Sequence, residues 1–132
     1  MDALQAMRQK LETEAKVFQG LQKESSKSAG LRTQFQQQQQ ENNMVLKELE
    51  LLEEEANVYK LVGPMLIKQD LVEAKSNVGK RLEYIGDEIK RLDNGMKSLE
   101  KKQAEKQQEV VALQQKMQQL QTKGQAQAQA AS

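Results

Sequence analysis

Residues 57–70 read Asn-Val-Tyr-Lys-Leu-Val-Gly-Pro-Met-Leu-Ile-Lys-Gln-Asp, and this stretch decides the fold of the chain. Two short runs rich in β-branched, aromatic and aliphatic residues flank Gly63-Pro64, a pair that favours a tight turn. The pattern predicts a β-hairpin with strands at 58–62 and 65–69. An extended loop between two helices is the alternative, but the β-branched and aromatic content argues against it.

The predicted hairpin is apolar on both of its faces. Tyr59 and Leu61 point to one face, and Val58 and Val62 to the other, because side chains alternate along a strand. A two-stranded hairpin is marginal in water on its own, and its outer edges remain open to pairing. We therefore predict that the hairpin joins this chain to neighbouring subunits. The residues assigned to this oligomerisation hairpin are Val58, Tyr59, Leu61, Val62, Met65, Leu66 and Ile67.

A long heptad pattern precedes the hairpin. Its a and d positions are apolar towards both ends and polar in the middle. We place them at Leu4, Met7, Leu11, Glu14, Phe18, Leu21, Ser25, Ser28, Arg32, Phe35, Gln39, Asn42, Leu46 and Leu49.

A second heptad pattern follows the hairpin and is more regular. Its a and d positions alternate in steps of four and three residues, which is typical of a coiled coil. Only two of them, Gln103 and Lys106, are polar. The apolar ones are Val78, Leu82, Ile85, Ile89, Leu92, Met96, Leu99, Val110, Leu113, Met117 and Leu120.

These patterns predict a mainly α fold, a long antiparallel two-helix coiled coil with a central β-hairpin. We expect one domain over residues 1–124, with the first helix at about 2–56, the hairpin at 58–69 and the second helix at about 70–122. Asp70 and Glu73 have the spacing of a reciprocal N-terminal cap. Gly124 is expected to end the second helix, which leaves 125–132 as a polar disordered tail.

The a and d positions of each helix form a stripe, here called its seam. Two relative axial positions of the helices, or staggers, which differ by one heptad, keep the two seams facing each other. One sets Leu21 against Val110, and the other sets Leu21 against Gln103. Because the second buries polar groups against apolar ones, we expect the first. In that stagger Leu4 and Met7 lie beyond the end of the second helix and have no apolar partner, although a frayed terminus without a role is an alternative.

Composition excludes several classes of function. Histidine and cysteine are both absent, which removes the commonest acid–base, nucleophilic and zinc-binding side chains. We expect no enzyme activity, no catalytic or metal site and no cofactor. Lys+Arg 20 against Asp+Glu 19 leaves no basic field for nucleic acid or a membrane surface. The absence of cysteine and of a long apolar run makes the cytoplasm the expected location.

The central segment resembles a known family. Val58-Tyr59-Lys60-Leu61-Val62-Gly63-Pro64-Met65-Leu66-Ile67-Lys68-Gln69, followed by residues 79–85 and 88–91, is similar to the β-class prefoldin subunits. The outer helices match in length and character more than in residue identity. A single hairpin, rather than two, fits the β class.

The resemblance implies a prefoldin-like chaperone subunit. It implies a hetero-hexamer of α- and β-class subunits whose hairpins form an inter-subunit β-barrel. It further implies capture of unfolded proteins, such as actin and tubulin, and their delivery to the cytosolic group II chaperonin without ATP. The expected client-binding tips are Leu4, Met7, Leu11, Leu113, Met117 and Leu120, although these residues also fit the last core layers of the coil. The rival interpretation is a coiled-coil scaffold or tether without chaperone activity.

Overall fold

The structure is a computed structural model that describes residues 2–131. Helix α1 spans Asp2–Leu51, strand β1 Val58–Val62, strand β2 Met65–Gln69 and helix α2 Leu71–Ala131. The predicted order of helix, hairpin and helix is confirmed, and both strands lie at the predicted residues. The helices differ from the sequence-based expectation in where they end and in their stagger.

The hairpin is a two-stranded antiparallel sheet with a two-residue turn. Tyr59 pairs with Lys68, and Val62 pairs with Met65 across Gly63-Pro64. Gly63 has a φ of 59°. A positive φ at the first turn position, followed by the fixed negative φ of proline, matches the type II′ turn that suits the twist of a hairpin. The turn chemistry therefore fixes the register of the two strands.

Helix α1 ends at Leu51, five residues before the predicted position. Glu53, Glu54 and Glu55 follow it, and its last turn contains no basic residue. Carboxylates near a helix C-terminus are unfavourable because the backbone dipole is already negative there. The chain leaves the helix through a turn in which the backbone N–H of Ala56 donates to the carbonyl of Glu53 at 2.9 Å.

Helix α2 begins as predicted but runs further. The N–H of Ala74 donates to the carbonyl of Asp70 at 2.8 Å, which makes Asp70 the N-cap residue. The reciprocal side-chain bonds expected between Asp70 and Glu73 are not formed. The helix then continues through Gly124 to Ala131, so the prediction of a disordered tail from 125 is wrong for 125–131. Glutamine and alanine are good helix formers, and they offset the cost of about 1 kcal/mol for a helical glycine.

Contacts divide the chain into two compact units. The hairpin unit comprises Ala29–Asn94, and the arm unit comprises residues 2–28 with 95–131. In the hairpin unit Leu49, Leu71 and Ala74 form a buried cluster, against which Val58 and Val78 pack. Every a and d position predicted for the first helix is buried or half-buried, and so is every one in the second helix except Leu120.

The helices adopt the stagger that the sequence analysis rejected. In the arm unit the Gln103 side-chain amide donates to the carbonyl of Leu21 at 3.0 Å, so Leu21 faces Gln103 and not Val110. The hairpin unit agrees with this stagger, because Phe35 contacts Tyr84, which lies nearer the start of α2 than the expected stagger would allow. The two rings meet edge to face, with centroids 6.5 Å apart. The expected mismatch of polar and apolar groups does not arise, because Gln103 satisfies its amide on the facing backbone.

Candidate functional site

The hairpin exposes apolar side chains on both of its faces. On one face Leu61 and Leu66 are paired across the strands and are 68% and 67% exposed. On the other face Val62 and Met65 are paired and are 48% and 64% exposed. Large apolar groups in water are unfavourable by roughly 25 cal/mol for each square ångström that they expose. The hairpin therefore has the surface of an interface.

Only the base of the hairpin is covered by the helices. Val58 is half-buried because it packs on the cluster of Leu49, Leu71 and Ala74. Within residues 2–131 the sheet contains only β1 and β2, so each strand has one edge whose backbone groups have no strand partner. Of the residues assigned to the oligomerisation hairpin, all but Val58 are exposed. Those exposed residues are Tyr59, Leu61, Val62, Met65, Leu66 and Ile67.

The proposed tip residues lie in the arm unit, where burial of the seam is incomplete. Leu99 is the arm unit's one buried residue among those the structure describes. From Gln103 to Met117 the α2 seam is half-buried, and Leu120 is 39% exposed. The remaining tip residues are half-buried, namely Leu4, Met7, Leu11, Leu113 and Met117. The structure thus places them in the last layers of the coiled coil and leaves each of them partly open to water. The expectation that Leu4 and Met7 lie beyond the end of the second helix is wrong, because α2 continues to Ala131 and the stagger differs by one heptad.

A charged cluster interrupts the seam of the arm unit. Lys106 Nζ lies 2.7 Å from Glu14 Oε2 and 3.2 Å from Glu109 Oε2. The hydrogen-bonding contact with Lys106 lowers the pKa of Glu14 below its usual value. The same contact with Glu14, and a second with Glu109, raises the pKa of Lys106. The two seam residues therefore hold each other in their charged forms, which is how a half-buried lysine is accommodated between apolar layers.

A second ion pair joins the two helices of the hairpin unit, between the seam residue Arg32 and Asp93 beside the seam. Arg32 Nε is 2.5 Å from Asp93 Oδ1, and both side chains are partly exposed. The contact with Asp93 raises the pKa of Arg32. The sequence analysis assigned Arg32 and Glu14 to polar seam positions without identifying their partners. Opposite charge on the two helices was the available signal, and the sequence analysis did not use it.

Chemistry of other kinds has little support in the structure. Within residues 2–131 no group of three or more acidic side chains is placed to hold a metal ion. Over the same residues, neither helix has a stretch long and apolar enough to cross a membrane. The notable surfaces of the described chain are therefore the exposed hairpin and the partly open layers of the arm unit.

Comparison with known proteins gives consistent matches over most of the chain. The family profile described as Prefoldin subunit matches residues 12–131. A protein named Prefoldin subunit 6 from Arabidopsis thaliana is 50% identical over 111 residues, which are 84% of this chain and 86% of that protein. The protein of the same name from Mus musculus is 47% identical over 116 residues, which are 87% of this chain and 91% of that protein.

A solved structure shares the fold. The prefoldin beta subunit from Thermococcus strain KS-1 superposes with a TM-score of 0.62, over 85% of this chain and 92% of that one. Its sequence identity is 23%, so this likeness concerns the fold alone. It matches a mainly helical chain with a two-stranded antiparallel hairpin between two long helices.

The chain consists of two long helices with facing seams and an exposed apolar hairpin between them. These features define the class of protein as a subunit that assembles with other chains. The matches then specify which kind of subunit it is. The chain belongs to the prefoldin subunit family, and its fold is that of a prefoldin beta subunit. This is a family of molecular chaperone subunits that function in protein folding, not a family of enzymes. The resemblance noted in the sequence is thereby confirmed.

Proposed function

We propose that this chain is one β-class subunit of a hetero-hexameric prefoldin with two α-class and four β-class subunits. In this proposal the hairpins of the six chains join into a β-barrel platform, and the helices extend from that platform. The complex captures unfolded proteins, actin and tubulin among them, at the ends of the helices. It passes them to the cytosolic group II chaperonin in the cytoplasm without consuming ATP.

The observation that carries the proposal is the exposure of the hairpin on both faces. Covering Leu61, Leu66, Met65 and their neighbours requires apolar partners that the described chain does not supply. Strands of other subunits offer both apolar side chains and backbone groups for the open edges. A scaffold that paired only through its helices would have no use for this surface.

The client-binding part of the proposal rests on the arm unit. Its outer layers are half-buried, so a modest opening of the two helices would present apolar side chains to an unfolded chain. Met7 and Met117 are suited to this because an unbranched thioether adapts to partners of irregular shape. Each tip would bind weakly, and several tips acting on one client would bind it much more tightly through their effective concentration.

Native mass spectrometry of the complex that contains this chain, purified from cells, tests the proposal. The expected mass is that of a hexamer in which this chain occurs once beside other prefoldin subunits. Addition of denatured actin to that complex is expected to reduce aggregation without ATP. A plain homodimer, or a hexamer that does not reduce aggregation, contradicts the proposal.

A further inference from the structure

A groove lies at the base of the hairpin, entirely within the hairpin unit. Its volume is about 260 Å³, which is room for a few side chains. The floor is apolar, and four of its residues belong to or pack on the buried cluster described above, namely Leu49, Val58, Ala74 and Val78. Val45, also on the floor, is 44% exposed. The groove is therefore an open surface beside a firmly packed core.

The rim of the groove is polar and positively charged. Lys60, Gln69, Asn77 and Arg81 line it, and no carboxylate does. Lys60 and Arg81 form no ion pair with any residue that the structure describes. Two unpaired cations around one apolar depression create a local positive potential that favours an anionic group.

The groove is continuous with the exposed hairpin. Consecutive residues of β1, Val58, Tyr59 and Lys60, line it, and Tyr59 is also part of the apolar surface of the hairpin. A chain that covers the hairpin therefore passes the opening of the groove. This continuity identifies the source of the occupant as the assembly partner and not a molecule that binds independently.

We infer that the groove receives an extended segment of the neighbouring prefoldin subunit, in which an acidic side chain stands beside apolar ones. This inference rests on the proposed assembly through the hairpin and adds a specific contact to it. The apolar side chains occupy the floor, and the carboxylate lies between Lys60 and Arg81. Charge complementarity of this kind selects the correct neighbour and its register, in addition to any gain in affinity.

Charge reversal at the rim tests the inference. The variant Lys60→Glu with Arg81→Glu is expected to weaken binding of one neighbouring subunit by about tenfold. The matched control is Lys47→Glu with Lys80→Glu, which makes the same change of charge at exposed positions of α1 and α2, outside both the groove and the hairpin. The measurement is subunit exchange of the reconstituted full-length complex, followed by native mass spectrometry. Equal weakening in both variants overturns the inference, and circular dichroism verifies that each variant is helical.

A photoreactive side chain at Asn77 identifies the occupant directly. In the assembled complex it is expected to crosslink to a neighbouring subunit, at a peptide with an acidic residue within a few positions of the crosslink. A crosslink to a client, to a second copy of this chain or to no protein overturns the inference. Reversal of the acidic residue on the partner to Arg is expected to restore binding of the Lys60→Glu, Arg81→Glu variant.

A second comparison distinguishes failure of the groove contact from failure of the proposed assembly through the hairpin. If Leu61→Asp prevents assembly while the rim variant assembles as tightly as its control, the hairpin interface stands and only the groove contact is refuted. If Leu61→Asp assembles normally, the hairpin interface itself is refuted.

Discussion

At the scale of single residues, the seam of the arm unit depends on a charged pair. Glu14 Oε2 is buried, and Lys106 Nζ is 2.7 Å from it. A buried carboxylate oxygen without its cation would carry a desolvation cost that nothing else offsets. The pair therefore holds the helices together only while both groups are charged.

The stability of the arm unit should consequently depend on pH in a defined direction. Because the pKa of Glu14 is lowered in the folded chain, its stabilising contribution is complete above pH 4.5 and is lost at more acidic pH. The raised pKa of Lys106 means that its contribution is complete below pH 10.5 and is lost at more alkaline pH. The stabilising window lies between these limits.

Lys106→Met tests this dependence. The variant should melt at a lower temperature than the wild type at pH 7, because Glu14 is then charged without its partner. The difference should be smaller at pH 3, because Glu14 without its cation takes up a proton more readily, which relieves the penalty in the variant. Lys102→Met is the control and should show no such change, because Lys102 is exposed and pairs with no acidic residue of 2–131. A difference in melting temperature that is the same at pH 7 and pH 3, measured by circular dichroism, would refute the role of the pair.

The proposed client contacts are also testable residue by residue. Leu4→Ser with Met7→Ser should leave the hexamer intact, because both residues are remote from the hairpin in the sequence. It should weaken suppression of actin aggregation by roughly a few-fold, since the other tips still bind. Gln5→Ser with Arg8→Ser changes two exposed neighbours on the same helix and serves as the control. If the assembled Leu4→Ser, Met7→Ser variant suppresses actin aggregation as well as the wild type, the assignment of Leu4 and Met7 to client binding is refuted.

At the scale of the elements, the sequence predicts which residues face the partner helix but not how far the helices slide. All the predicted seam positions of α1 are at least half-buried, because a 3.5-residue period fixes one face of a helix. A shift by one heptad preserves that face. The choice between staggers depends on specific pairs, and Gln103 with Leu21 and Lys106 with Glu14 favour the observed one. The sequence analysis chose the stagger by pairing apolar residues with apolar ones, and it took no account of these polar contacts.

The sequence predicts the exposed hairpin but not the groove at its base. The hairpin was located to the residue because turn chemistry and strand alternation are local signals. The groove was not predicted, since its residues come from α1, β1, β2 and α2 and meet only after the chain folds. The ends of the helices depended on charge and propensity near Glu53 and Gly124, where several small effects compete.

Disulfide formation measures the stagger directly, and the chain has no native cysteine to interfere. One heptad along from the contact of Leu21 with Gln103, Ser28 faces Met96. Ser28→Cys with Met96→Cys should therefore form an intramolecular disulfide on mild oxidation. Ser28→Cys with Gln103→Cys, the pair of the stagger that the sequence analysis expected, should not, because one heptad displaces the partner by about 10 Å. Crosslinking of the second pair alone, judged by gel mobility, would contradict the structure.

At the scale of the whole molecule, the hairpin is the most apolar exposed element, and no other part of the described chain buries its faces. The helices cover their own seams at least in part, and the hairpin packs on them only at its base. An uncovered hairpin with open edges is also a site for aggregation, so a stable complex has to cover it. Assembly with other prefoldin subunits is the arrangement by which this chain would complete its own fold.

Native mass spectrometry of the complex reconstituted with Leu61→Asp tests that claim most directly. The charge would be buried in the platform, so this variant should remain a helical chain outside the hexamer. Val17→Asp makes the same kind of change at an exposed position of α1 and should assemble normally. Hexamers of normal mass and abundance with Leu61→Asp would contradict the account.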